Sequence, residues 1–256
     1  MNWRIFFALL GRDWHVARKN ALMTLVQNLL QPLLLTFVFG RVLTSSGMMN
    51  AGFKAVLLPG VMAISMVISG IQAVAMPLIT EFQFSREIED RLLAPIENVW
   101  LGVEKILAGM IQGLVAGLVV IPAAWLTMGA GTNINFGRPF HFALICLLVA
   151  LFSSAGGLAL GCSVGSTQIG LMFSVIVTPM MMFGCAYYPW SYLHFLPALQ
   201  YAVLVNPVVY ASEGLRGALA PQVPHMPFLA AAGALALIDG GLLVLGLKKF
   251  LRKAVS

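Results

Sequence analysis

The sequence predicts an all-α, polytopic membrane protein with six transmembrane helices, and three observations support this. The 256 residues are 60% hydrophobic and only 9% charged, with a mean hydropathy of +0.92, which is more apolar surface than a water-soluble domain of this size buries. The apolar residues fall into six runs, at about 21–40, 55–79, 101–128, 139–161, 168–187 and 228–247, each near the roughly 20 residues that a helix needs to cross a bilayer. The net charge of +6 sits at the termini and in short connections rather than along one face, a pattern that orients a membrane protein and argues against nucleic-acid binding.

The first element precedes the first span. In residues 1–20, Trp3, Ile5, Phe6, Leu9 and Leu10 alternate with Arg4, Arg12 and Asp13, and Arg18 and Lys19 close the segment. This is the pattern of an amphipathic helix lying in the interface. Positive charge recurs through it and no small-residue cleavage site closes a short apolar core, so it does not read as a signal peptide.

Six crossings put both termini on one side. Arg4, Arg12, Arg18, Lys19, Lys248, Lys249, Arg252 and Lys253 make that side cytoplasmic, against the sparser Arg41, Lys54, Arg138 and Arg216 on the other. The connection between the second and third spans is then cytoplasmic, and it is the most charged stretch of the chain: EFQFSREIEDRLLAPIENVW, residues 81–100. Thr80 to Gln83 fits a capping box, so a new helix is expected to begin there. Arg86 with Asp90 and Glu87 with Arg91 are four residues apart on a wet face, Ile88 and Leu92 form an apolar stripe, and Pro95 discourages continuation. Each exposed pair contributes only about 0.2–0.5 kcal/mol, and the acidic excess opposes attraction to an anionic leaflet. A protein surface fits the segment better than lipid does, with a merely solvated loop as the alternative.

The third and fourth runs carry glycines every four residues: Gly109, Gly113 and Gly117, then Gly157, Gly161 and Gly165. Such faces let helices approach closely, and packing within one subunit is their expected role. Polar residues stand at membrane depth at Asn28, Gln31, Gln72, Gln112 and Asp239, where leaving them unpaired is costly. Asp239 is expected to hydrogen-bond a neighbouring helix. Asn28, Gln31 and Gln72, together with Met76, Phe173, Met181 and Phe183, are candidates to line a substrate path, since flexible thioethers and rings suit an amphipathic or hydrophobic substrate; ordinary helix packing explains the same residues. Residues 188–227 are cut by Pro189, Pro197 and Pro207 and hold Tyr188, Trp190, Tyr192 and Tyr201. They are expected to form short helices that dip into or lie on the outer leaflet rather than cross it. Glu213 and Arg216 there are placed to pair or to meet a polar headgroup.

No G-x-x-x-x-G-K-[ST] phosphate loop occurs, and GAGTNINFGRP at 129–139 lacks the lysine. His15, His141, His194 and His225 are scattered without metal-ligand spacing, and Cys146, Cys162 and Cys185 have no paired spacing. No catalytic, cofactor or metal constellation is expected in this chain.

Three stretches carry a family resemblance: FQFSREIEDRLLAPIENVWLGVEK at 82–105, VTPMMMFGCAYYP at 177–189 and NPVVYASEGLRGAL at 206–219. Together they resemble the membrane subunits of ABC-2 type exporters, in particular the bacterial subgroup of daunorubicin-resistance and nodulation-factor permeases. The resemblance implies a single membrane domain over 1–256 that exports an amphipathic molecule such as a drug, lipid or glycolipid. It implies a dimer, with itself or a similar permease, bound to two ATP-binding subunits that hold the ATP and Mg, in a bacterial or archaeal cytoplasmic membrane. Phe84, Glu87, Ile88, Glu89, Arg91 and Leu92 would then lie in the coupling helix, about 80–93, that docks on the ATPase. Tyr188, Pro189, Asn206, Pro207, Tyr210, Glu213 and Arg216 would form the outer re-entrant region. The short connection at 41–54 departs from family members with large outer domains. The rival from another class is an ATP-independent secondary transporter or channel, which predicts paired ionisable groups in the spans and internal repeats; the sequence offers one isolated acid and no clear halves.

Overall fold

Long apolar runs with few charges leave the backbone no hydrogen-bond partners outside the chain, so they satisfy themselves as helices. The computed structural model describes residues 10–12, 30, 32–48, 50, 52–82, 98–129 and 135–255, and among them there is no strand. The main helices are α1 (Pro32–Ser45), α2 (Phe53–Thr80), α3 (Asn98–Met128), α4 (Pro139–Ser163), α5 (Ile169–Met182), α6 (Pro197–Ala202), α7 (Pro207–Leu219) and α8 (Phe228–Val255). Of these, α2, α3, α4 and α8 are long and apolar enough to cross a membrane.

The core is built around α2. Helices α3, α4 and α7 pack directly on it, and α8 packs mainly on α4. Both glycine series turn out to face α2. A Cβ on Gly109 would strike Val74, and one on Gly117 would strike Met66; Gly113 lies against the Met66 carbonyl, Gly157 against Ile71 and Gly161 against Ala75. Gly165 falls beyond the end of α4 and takes no part in this face. Small residues on three helices therefore bring backbones into van der Waals contact, the packing force available where both the helices and their surroundings are apolar. The outward faces remain greasy, with Leu229 84% and Leu237 81% exposed on α8.

The ends of the bundle differ. At one, the basic end, α2 and α4 terminate beside the carboxyl-terminal half of α8, which carries Lys248, Lys249, Arg252 and Lys253; Lys249 donates to the Ser163 hydroxyl at 2.7 Å. At the other, the loop end, Lys54 caps the last turn of α3 through the Met128 carbonyl at 2.9 Å. The segment between α5 and α8 also gathers there.

Several expectations need correction. Thr80 does not open a new helix: it is the last residue of α2, and its hydroxyl donates to the Met76 carbonyl at 3.0 Å. Half of the first apolar run lies outside the described residues, which show its second half leading into α1. The fifth run yields a helix too short to cross by itself. Its π-helical turn spans Met172–Val177, and the Thr178 hydroxyl reaches the Phe173 carbonyl at 2.9 Å. Pro179 follows, and the missing N–H and ring bulk of a proline disfavour regular α-turns just before it. Asp239 is buried, yet neither of its oxygens has a hydrogen-bond partner among the described residues.

The close approach to α2 makes a simple prediction. Gly157→Leu should lower the melting temperature of the detergent-solubilised protein, reflecting a loss of about 1–3 kcal/mol from overpacking. Gly156→Leu, one residue along, where a Cβ meets nothing within 4 Å, should leave it nearly unchanged.

Candidate functional site

Chemistry-bearing side chains collect at the two ends of the bundle. At the loop end the construction begins with Asn206, which caps α7. Its side-chain oxygen accepts from the Val208 N–H at 3.0 Å, and Pro207 occupies the first helical position, where its missing N–H costs nothing. The Asn206 amide donates to the Met180 carbonyl, tying the start of α7 to the end of α5. Two turns later Glu213 and Arg216 point from the same face of α7 and pair at 2.5 Å, both with fully buried side chains.

This pair organises the chain around it. Glu213 accepts from the backbone N–H of Trp190 at 2.8 Å and, through its other oxygen, from that of Met226 at 2.7 Å. Arg216 donates to the carbonyls of Cys185 at 2.9 Å and Ala186 at 3.4 Å. Burial lowers the guanidinium's pKa, and Glu213 opposes that shift. The loop it holds is tightly made. Cys185 has φ of +52°, and the Ala186 carbonyl sits where a Cβ on Gly60 of α2 would be. Pro189 is buried beside Tyr188, the Trp190 ring donates to the Gln200 carbonyl at 2.9 Å, and the Tyr210 hydroxyl donates to the Leu204 carbonyl at 2.8 Å. All seven residues expected in this region thus lie in one connected structure, and Glu213 and Arg216 pair with each other rather than facing outward. Sequence reasoning missed that the bonded backbone groups belong to 185, 186, 190 and 226, because only folding brings those positions to α7.

At the basic end, Glu81 follows α2 directly and pairs with Lys105 of α3 at 2.7 Å, both largely buried. Phe82 sets its ring edge-on to Phe250 of α8, with centroids 6.2 Å apart, and the Lys253 ammonium lies 4.8 Å from the Phe82 centroid. Lys253 also reaches the Gly161 carbonyl of α4 at 3.5 Å. The chain leaving α2 is therefore fastened to both α3 and α8 before residue 83. Phe84, Glu87, Ile88, Glu89, Arg91 and Leu92 lie outside the described residues, as do Asn28 and Gln31. The clamp partners Lys105, Phe250 and Lys253 were not anticipated. A lone lysine beside Glu104 inside an otherwise apolar run was the available signal.

The remaining path candidates do not form one wall. Gln72 is half-buried and Met76 exposed on α2. Phe173 and Met181 pack against the main core, while Phe183, just beyond α5, is exposed.

A buried ion pair is costly to half-remove, because the surviving charge stays desolvated. Glu213→Ala and Arg216→Ala should each destabilise by about 3–5 kcal/mol. The double substitution should cost clearly less than the sum, read from denaturation of the purified protein in a double-mutant cycle.

No curated protein and no solved structure matches the chain. A family profile does, that of the ABC-2 type transporter, over residues 4–220. That match spans most of the sequence, from before α1 to the end of α7, with α8 lying beyond it, and the chain is therefore a multi-pass membrane protein that belongs to the ABC-2 type transporter family.

Proposed function

We propose that this chain is the transmembrane permease subunit of an ATP-driven exporter that moves an amphipathic substrate, such as a drug, lipid or glycolipid, out across a bacterial or archaeal cytoplasmic membrane. In this reading the basic end is cytoplasmic, the first apolar run and the fifth, in which residues 183–187 extend α5, complete six crossings, and the segment between that extension and α8 is an outer re-entrant region. The chain contains no phosphate loop, so the energy comes from two copies of an ATP-binding partner that holds ATP and Mg. A second copy of this chain, or a similar permease, completes the route.

The observation that carries the reading is the double clamp at the root of the charged segment. Closure of the ATPase pair would push on residues 83–93. A push there reaches the membrane helices only if the segment is fixed to them, and Glu81 with Lys105, and Phe82 with Phe250 and Lys253, supply that attachment. The partner-facing residues are then Glu87, Glu89 and Arg91, with Ile88, Leu92 and Phe84 on the apolar side.

The rival, an ATP-independent transporter, draws on one observation: a buried carboxyl in α8, Asp239, with no hydrogen-bond partner among the described residues. Transport in vesicles driven by a proton gradient in the absence of any ATPase would favour it.

Two measurements test the exporter reading. In the copurified complex, Glu87→Lys or Arg91→Glu should reduce substrate-stimulated ATP hydrolysis to the unstimulated rate while the permease stays folded; unchanged coupling and partner binding would refute the assignment. Phe82→Ala should leave the ATPase bound, yet lower the amount of substrate moved per ATP, because the docked segment would no longer be tethered to α8.

A further inference from the structure

The loop end also holds a cavity of about 750 Å3, between the α1–α2 connection, the loop before Trp190 and the α7–α8 connection. Its volume falls within the roughly 300–1,000 Å3 typical of small-molecule sites. Phe53, Tyr187, Tyr188 and Tyr192 give it aromatic walls, and Met48 and Asn50 stand at its rim.

Three features of the lining define what would fit. It is neutral: no acidic or basic side chain lines it among the described residues. The neighbouring charges are spent elsewhere, Lys54 on the Met128 carbonyl and Glu213 on Arg216. Burial raises the Tyr188 phenol above its ordinary range, so it stays uncharged. The lining is also rich in aromatic rings, one of which, Tyr187, stacks on Phe39 as well, and several of its polar groups are unspent. Among the described residues the hydroxyls of Tyr187, Tyr188 and Tyr192 and the side-chain amide of Asn50 have no hydrogen-bond partner. The floor is rigid, because Arg216 holds the carbonyls of Cys185 and Ala186 immediately before the tyrosines.

We propose that this cavity binds an uncharged, polyhydroxylated ring, a neutral glycosyl group, whose apolar face stacks on the tyrosines while its hydroxyls bond the phenols and Asn50. A charged headgroup would find no counter-charge there. A plain aromatic would stack but leave the converging phenols and amide without a use. The site is distinct from the ATPase-facing segment, and the proposal holds whether or not the chain is an exporter.

The test uses the full chain in nanodiscs of phosphatidylethanolamine and phosphatidylglycerol, followed by saturation-transfer difference NMR with methyl β-maltoside as probe. A saturable signal is expected. Tyr188→Ala and Tyr192→Ala should each weaken it by about tenfold, and Tyr192→Phe, which keeps the ring, should weaken it less. Val205→Ala, at an exposed position outside the cavity, should have no effect. Nanodiscs doped with a glucosyl diacylglycerol separate the two sources: competition with the maltoside assigns the site to lipid-linked sugar, and its absence assigns it to free saccharide. Tyr192→Phe guards against a folding defect, since it replaces only a hydroxyl on a half-exposed ring. No saturable signal, undiminished binding in the tyrosine variants, or equal binding of phosphocholine or p-cresol would overturn the proposal.

Discussion

Backbone-to-backbone approach around α2 is the constraint on which the rest of the structure depends. Where side chains and surroundings are equally apolar, little is gained by burying one more leucine, and helices are held by close contact and by the polar bonds that contact permits. The glycines of α3 and α4 allow that contact against Val74, Met66, Ile71 and Ala75. With those helices fixed, α8 has a surface on α4 to follow, and the two ends of the bundle acquire defined positions.

Both ends then use the same solution, a buried ion pair, within α7 at the loop end and between the end of α2 and α3 at the basic end. Such pairs are expensive to desolvate and add little net stability on their own. What they supply is geometry. Glu213 and Arg216 draw four backbone groups, from residues 185, 186, 190 and 226, onto one turn of α7. Glu81 and Lys105 fix the direction in which the chain leaves α2. Between the two lies α5, with its π-turn and its proline, linked to α7 through Asn206 and Met180.

Much of this organisation was legible in the sequence. Apolar length marked α2, α3, α4 and α8 nearly to their boundaries, because the need to satisfy the backbone internally leaves helices as the simplest answer for such runs. Prolines at 189, 197 and 207 announced short helices, and the four-residue spacing of glycines announced close packing without saying against which helix. Thr80 misled, because a threonine followed by glutamine three residues on satisfies the capping-box pattern while its hydroxyl can equally bond the turn before it, as it does with Met76. Asp239 misled in the opposite sense: a carboxyl in a span implies a partner, yet neither of its oxygens has one among the described residues.

The sequence by itself determined the all-helical membrane class, the asymmetry of charge between the ends, and which residue types stand at each end, since these follow from composition and spacing along the chain. Only the tertiary structure decided that the Glu213–Arg216 pair takes hold of the loop at 185–190, that Phe82 rests between Phe250 and Lys253, and that three tyrosines line a neutral cavity with Phe53. Those contacts join positions tens to well over a hundred residues apart, and no local periodicity records which distant backbone a side chain will reach once the helices have packed.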